Sequence, residues 1–113
     1  MATEANEVIR KSGAGTAAKK TDFLSGNEAA AKAAEDAFGG TDVLCNNAGV
    51  ASPGPVWDVP LSDWQWMLSV NVLGIVNGLR AFVPRLLEQT APAHVVNTGS
   101  MMSLQTAPGL GAY

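Results

Sequence analysis

The feature that most constrains this chain is a short stretch at residues 42–49, reading Asp-Val-Leu-Cys-Asn-Asn-Ala-Gly. Its first half is an apolar run of strand type, preceded by Gly39-Gly40 and followed by a break into Asn, Gly and Pro. Such a run reads as a buried strand. Two asparagines and then Ala-Gly place amide donors, amide acceptors and a bare backbone where the strand runs out. In open α/β sheets that carboxyl edge is where ligands bind.

The 113 residues suffice for at most one domain. Apolar residues make up 47%, charged residues 15%, and the net charge is −3. That balance suits a globular α/β or α+β chain and offers little to a nucleic acid or an anionic membrane, so neither is expected as a partner. The single cysteine, Cys45, has no internal disulfide partner, and its place in the apolar run predicts a small buried hydrophobe in a reducing compartment. No basic segment followed by an apolar one opens the chain, and no uninterrupted apolar run approaches the roughly 18 residues of a membrane span. A cytoplasmic protein is the expectation, and no residue is assigned to a metal.

Taken in order, residues 4–12 read as the tail of a helix that stops at Gly13. Gly13-Ala14-Gly15 reads as a helix-to-strand turn. A phosphate loop would need an apolar strand before it, a helix after it and a third glycine. Residues 16–23 read as a short edge strand, with Lys19 and Lys20 discouraging further pairing and Asp22 at its carboxyl end. Ser25-Gly26-Asn27-Glu28 has the form of a capping box, and Ala30, Ala33, Ala34, Ala37 and Phe38 follow as a thin helical stripe.

Beyond Gly49 lies a loop rich in breakers, with Pro53, Gly54, Pro55 and Pro60, anchored by Trp57 and suited to line a substrate mouth. Ser62-Asp63-Trp64-Gln65 is a second capping box, opening a helix expected to run to about Gln89. Leu68, Val72, Ile75, Leu79, Phe82, Val83 and Leu86 form one apolar face, with Trp66, Val70, Leu73 and Val76 largely off it. So much apolar surface implies burial on more than one side, by a second subunit or by further chain. Gly74 and Gly78 would admit a neighbouring backbone, and Pro84 should kink the last turns. Residues 94–98 are the third strand, with Val95 and Val96 buried, and His94 at its start reads as a solvated surface residue. A Met- and Gly-rich loop follows to Tyr113.

Three strands alternating with helices bring Asp22, residues 46–49 and Ser100 to one edge of a parallel sheet. Ser100 has no glycine-serine elbow, and no histidine stands at that edge, which disfavours a hydrolase. Three motifs then occur in order: Asn46-Asn47-Ala48-Gly49, Ser69-Val70-Asn71-Val72, and Ser100 thirteen residues before Tyr113. With these the chain resembles the short-chain dehydrogenase/reductase family over essentially its whole length. The resemblance implies an α/β fold, a partial Rossmann-type doubly wound parallel sheet, with residues 1–113 forming one partial domain. The first two strands and the C-terminal part would be missing.

It also implies hydride transfer between NAD or NADP and a small-molecule carbonyl or alcohol. By position, Tyr113 is the expected general acid/base, Ser100 the hydrogen-bond donor to the substrate oxygen, and Asn71 the holder of an ordered water in a proton relay. Asp22 and Phe23 would meet the adenine of the cofactor, and Asn46, Ala48 and Gly49 its ribose and nicotinamide half. Asp22 could equally just end a strand, Asn47 reads as a tie between strands, and Ser103 is a rival to Ser100 that fits the spacing less well. A homo-oligomer formed through the helix at residues 62–89 is expected of the full-length protein.

The sequence departs from the family pattern in lacking the glycine-rich turn at the front and the lysine four residues after the tyrosine. A free phenol titrates near about 10, so a phenol acting as a base near neutrality calls for such a positive neighbour. The alternative to an oxidoreductase fragment is an inactive truncated chain or a non-enzymatic interaction module. With strand neighbours missing, the apolar strand at residue 42 would carry an open edge. The isolated 113-residue polypeptide is therefore expected to aggregate or fold only in part, with a broad thermal transition. A sharp cooperative melt of a monomer would contradict this.

Overall fold

The computed structural model describes residues 22–113, with side-chain surroundings from Gly26 onward. The helix expected at residues 4–12, the glycine turn after it and residues 16–21 of the expected first strand lie outside the described residues. Helix α1, Asp22–Phe38, starts ahead of Ser25. Asp22 and Phe23 therefore belong to a helix and not to a strand end, and the Ser25-Gly26-Asn27-Glu28 box lies inside the helix it was expected to open.

Two strands follow among the described residues, β1 at Val43–Asn46 and β2 at His94–Asn97. They pair in parallel, Val43 with His94 through Asn46 with Asn97. The His94 N–H to Asp42 carbonyl bond, 2.9 Å, and the Thr98 N–H to Asn46 carbonyl bond, 3.0 Å, flank that ladder. Parallel strands need a long crossover. Here it consists of a loop and two consecutive helices, α2 at Leu61–Asn71 and α3 at Leu73–Glu88.

The single helix expected over residues 62–89 is thus broken at Val72, whose backbone sits at φ −110°, ψ −60°. The break resets the helical phase. Met67 and Val70 are the buried residues of α2, while Leu68 and Val72, expected on the inner face, are about half exposed at 52% and 50%. Nor does the Ser62 box form. Pro60 precedes the helix with no side-chain cap, and the Ser62 hydroxyl donates to Asp63 Oδ1 at 3.3 Å. Asp63 is in turn held by the loop, for the buried Ser52 hydroxyl donates to its Oδ2 at 2.6 Å. Pro84 lies within α3, which continues through it to Glu88.

Helix α3 is the hub of the packing, touching α1, α2 and β1. The most buried residues of α1 and α3 are the alanines Ala31 and Ala81, small enough to bring the two helices close. The buried side of α1 is Ala30 and Ala31, while Ala37 and Phe38, expected in its stripe, are exposed. Arg85 reaches from α3 to Glu28 at 3.1 Å and Glu35 at 3.5 Å. Both pairs are part-exposed, so each is worth less than about 1 kcal/mol. On the outer side of α1, Lys32 pairs with Asp36 at 2.8 Å, and that hydrogen bond, with the carboxylate charge, raises the Lys32 pKa.

Because α3 lies on β1, Leu44 is buried while its neighbour across the ladder, Val95, stays 40% exposed. Val96 and Cys45 are exposed as well, against the expectation of burial for both, and among the described residues no second layer covers that face of the sheet. His94 is exposed at the start of β2, as expected. Trp57, expected as an anchor, is 81% exposed.

By length and composition alone, Leu61–Glu88 taken together could cross a membrane, although the sequence pattern predicts no such segment. It is part of the packed α/β unit, although much of its apolar surface is exposed. Val72 interrupts it, its inner residues lie on β1 and α1, and its Arg85 is engaged with α1 carboxylates.

Carboxamides hold both ends of β1. Gln89, just after α3, donates from Nε2 to the Thr41 carbonyl at 3.0 Å and accepts from the Thr41 N–H at 3.3 Å. At the other end, the Asn46 amide donates to Asn97 Oδ1 at 2.8 Å and rests on buried Gly78. A Cβ at Gly78 would collide with Asn46 Oδ1. The close approach expected of Gly78 is therefore made by a side chain, and Gly74 has only ordinary contacts. Gly78→Ala should cost about 1–3 kcal/mol by overpacking, read as a lower denaturation midpoint. Gly74→Ala should leave that midpoint nearly unchanged.

Candidate functional site

Both strands end at the same edge, and the segments that leave them meet there. Asn47, Ala48, Gly49, Val50 and Ala51 follow β1, while Thr98, Gly99 and Ser100 follow β2. With Asn71 and Ile75 from the helix break, and with Met102, Ser103 and Tyr113, they line a cleft of about 510 Å³. None of these side chains is charged, and the floor is made of small residues and bare backbone. A smaller cavity of about 210 Å³, beside Gly40, Arg85 and Gln89, lies near the opposite end of β1.

Asn71, the last residue of α2, shapes the cleft. Its Oδ1 accepts from the Val50 N–H and its Nδ2 donates to the Val50 carbonyl, both at 2.9 Å. One carboxamide thus satisfies the N–H and carbonyl of a single loop residue after β1, much as Gln89 does for Thr41 before it. Sequence position assigns Asn71 to a bound water. The structure shows the side chain committed to Val50, with one Nδ2 hydrogen left over.

The two asparagines after Cys45 are placed differently. Asn46, placed at the cofactor by sequence, has its side chain engaged with Asn97 and Gly78. Asn47, read as the strand tie, is exposed and lines the cleft beside Ala48 and Gly49. Asn46 is the last residue of β1, whereas Asn47 belongs to the loop that leaves it. Asp22 and Phe23 stand at the start of α1, and their side chains are outside what the structure describes.

The two serines are also separable. Ser100 Oγ accepts from the Met102 N–H at 3.2 Å, capping a 3-10 turn at Met101–Ser103. Its own proton has no acceptor among the described residues. Ser103 instead donates its proton to the Ser100 carbonyl at 2.5 Å and is exposed. Tyr113 reaches the cleft from the last loop and is 45% exposed.

That loop is held by a contact no sequence pattern suggests. Gly54 forms an isolated parallel bridge with Leu110, joining the loop after β1 to the loop that carries Tyr113. The signal available in the sequence is the recurrence of glycine at 54, 109 and 111, which composition alone does not pair.

A family model described as short chain dehydrogenase matches residues 2–113. Over 88 residues the chain is 46% identical to a 1-deoxy-11-beta-hydroxypentalenate dehydrogenase of Streptomyces arenae, covering 76% of this chain and 31% of that protein. It is 34% identical over 84 residues to a CLA biosynthesis dehydrogenase/reductase of Lactiplantibacillus plantarum, covering 74% and 29%. Among solved structures, a short chain dehydrogenase/reductase from Burkholderia phymatum in complex with NAD superposes with a TM-score of 0.76 at 42% identity, covering 80% of this chain and 32% of that one. An NAD+-bound xylitol dehydrogenase gives 0.72 at 31% identity, covering 80% and 35%. The chain spans about a third of the length of these relatives. Its fold is part of the same Rossmann-type parallel α/β sheet.

Replacing Asn71 by Ala would leave the Val50 N–H and carbonyl without partners. The expected loss is about 1–3 kcal/mol, together with faster hydrogen exchange of the Val50 amide. Asn71→Asp should also lose stability, because it sets an oxygen against the Val50 carbonyl, while still offering an acceptor to the Val50 N–H. Unchanged Val50 exchange in both variants would show that the clamp does not hold in solution.

Proposed function

The chain belongs to the short-chain dehydrogenase family, and from that premise we propose that it supplies the nicotinamide-side and acid–base region of an oxidoreductase using NAD or NADP. The observation that carries this reading is the convergence of residues 47–51, Asn71, Ser100 and Tyr113 on one uncharged cleft at the carboxyl edge of the sheet. Small residues and exposed backbone there suit the close approach of a flat ring, which supports Ala48 and Gly49 as its neighbours. When bound, the cofactor supplies or accepts the hydride.

Tyr113 gives its phenolic proton to the substrate oxygen during carbonyl reduction and takes it back during alcohol oxidation. Ser100 is suited to hold that oxygen, since its lone pair already serves Met102 and its proton is free to be donated outward. Ser103, its proton engaged, is not assigned this part. Asn71 acts chiefly by fixing the loop at Val50, and its remaining Nδ2 hydrogen is assigned to the water of the relay that the family resemblance implies. Asn46 supports the cofactor face from behind through Asn97, and Asp22 and Phe23 are assigned to the adenine end.

Among the described residues that line the cleft no side chain is charged, which supports a substrate that is neutral near its reacting carbon. Exposed Leu68, Val72 and Val76 are proposed as the surface a second copy covers in the full-length protein, which is read as cytoplasmic.

The test is steady-state kinetics of the full-length protein on neutral secondary alcohols and ketones. Tyr113→Phe should lower kcat by about 10²-fold or more, the range of positioned acid–base catalysis, with cofactor affinity kept. Ser100→Ala should fall in the same direction, and Ser103→Ala should stay within about twofold of the unsubstituted rate. A Tyr113→Phe variant with full activity would end the assignment.

A further inference from the structure

Gly54, Gly109 and Gly111 lie in two separate loops, yet each is used in a way that other residues would spoil. Gly54 and Gly109 have φ of +141° and +81°, where an L side chain is strained. Gly111 has no such torsion but lies against backbone. A Cβ built there would stand 2.8 Å from the Val56 nitrogen and 2.9 Å from the Val56 Cβ. These atoms cannot rotate aside as a side-chain tip can.

The three glycines surround one strap. The Gly54 N–H donates to the Gly109 carbonyl at 2.7 Å, the Gly111 N–H donates to the Gly54 carbonyl at 3.4 Å, and Leu110 lies opposite Gly54 between them. The Tyr113 N–H then donates to the Leu110 carbonyl at 3.2 Å, closing a turn on the bridged residue itself. The far side of the strap is equally tied. Ser52 is bound to Asp63 at the start of α2, and Val50 is bound to Asn71 at its end. A continuous set of short contacts thus runs from α2 through the residue 50–56 loop to the backbone of Tyr113.

We infer that Gly54 and Gly111 are positioning residues for the acid–base step, the strap they form setting where the Tyr113 phenol stands in the cleft. This rests on the assignment of Tyr113 above. A displacement of about 1 Å can cost about 10²-fold in rate, so a Cβ at Gly111 that pushes the turn off Val56 acts on chemistry without touching a reactant.

The experiment follows the ring signal of Tyr113, the only tyrosine among the 113 residues. It is assigned with Tyr113→Phe in isotope-labelled full-length protein and recorded with and without added NADH. Gly111→Ala, Gly111→Val and Gly54→Ala should move the free signal and reduce its response to NADH, Val more than Ala. Thr106→Ala, an exposed change in the same loop, should match the unsubstituted protein. Protection of the Val50 amide checks that the cleft is intact. Should Gly111→Val lose it, Gly111→Ala and Gly54→Ala decide.

Ring signals and NADH responses that are unchanged in the glycine variants overturn the inference, whatever Tyr113→Phe does to activity. Signals that move in those variants, while NADH leaves the unsubstituted ring undisturbed, uphold the strap's hold on Tyr113 and instead fault NADH as the cofactor.

Discussion

Parallel strands cannot be closed by a tight turn, and the rest of this structure depends on that constraint. The chain that leaves β1 at Asn46 must travel back along the sheet before it can enter β2 at His94, and α2 and α3 make that return. Both strands then release their loops at one edge. The cleft is assembled there by topology, without any long-range charge interaction to gather it. The crossover is also fastened at each end of β1 by a carboxamide that binds both backbone groups of one residue, Gln89 on Thr41 and Asn71 on Val50. Half-buried backbone groups left without partners are costly, so these two side chains fix how the helices sit on the strand.

The break at Val72 belongs to the same arrangement. It lets α2 turn Met67 and Val70 inward while α3 presents Gly78 and Ala81 to β1 and α1. It also leaves Asn71 at a helix end, within reach of Val50. Division of labour among polar groups follows from such placements. Asn46 is held between Asn97 and Gly78, Asn47 is turned to the cleft, and Ser100 and Ser103 differ in which atom of each hydroxyl is occupied.

Much of this is legible in the order of the residues. The apolar run ending in Asn-Asn-Ala-Gly marks β1, the Val95-Val96 pair marks β2, and the helical pattern between them implies a parallel crossover. Their common edge follows, and with it the place of Ser100, whereas Tyr113 is placed beside it by the family resemblance. Local signals mislead where a competing partner lies far along the chain or outside the pattern. The Ser62 box gives way because Ser62 and Ser52 both turn to Asp63. The apolar stripe drawn through residues 68–86 loses its phase at Val72, a backbone change that hydrophobic spacing does not register. Burial expected for Cys45, Val95 and Val96 assumes layers on both faces of the sheet, and α3 covers only one, chiefly over β1.

The amino-acid sequence by itself determined the kinds of element, their order and the edge at which the polar motifs emerge. These depend on side-chain periodicity and backbone propensity, which are local properties. Tertiary structure alone decided which asparagine side chain ties the strands, where the long helix divides, and that Gly54 bridges to Leu110 in the loop that carries Tyr113. Those outcomes depend on contacts between residues far apart in the chain, where a hydrogen bond or a missing Cβ has meaning only against the atoms that meet it.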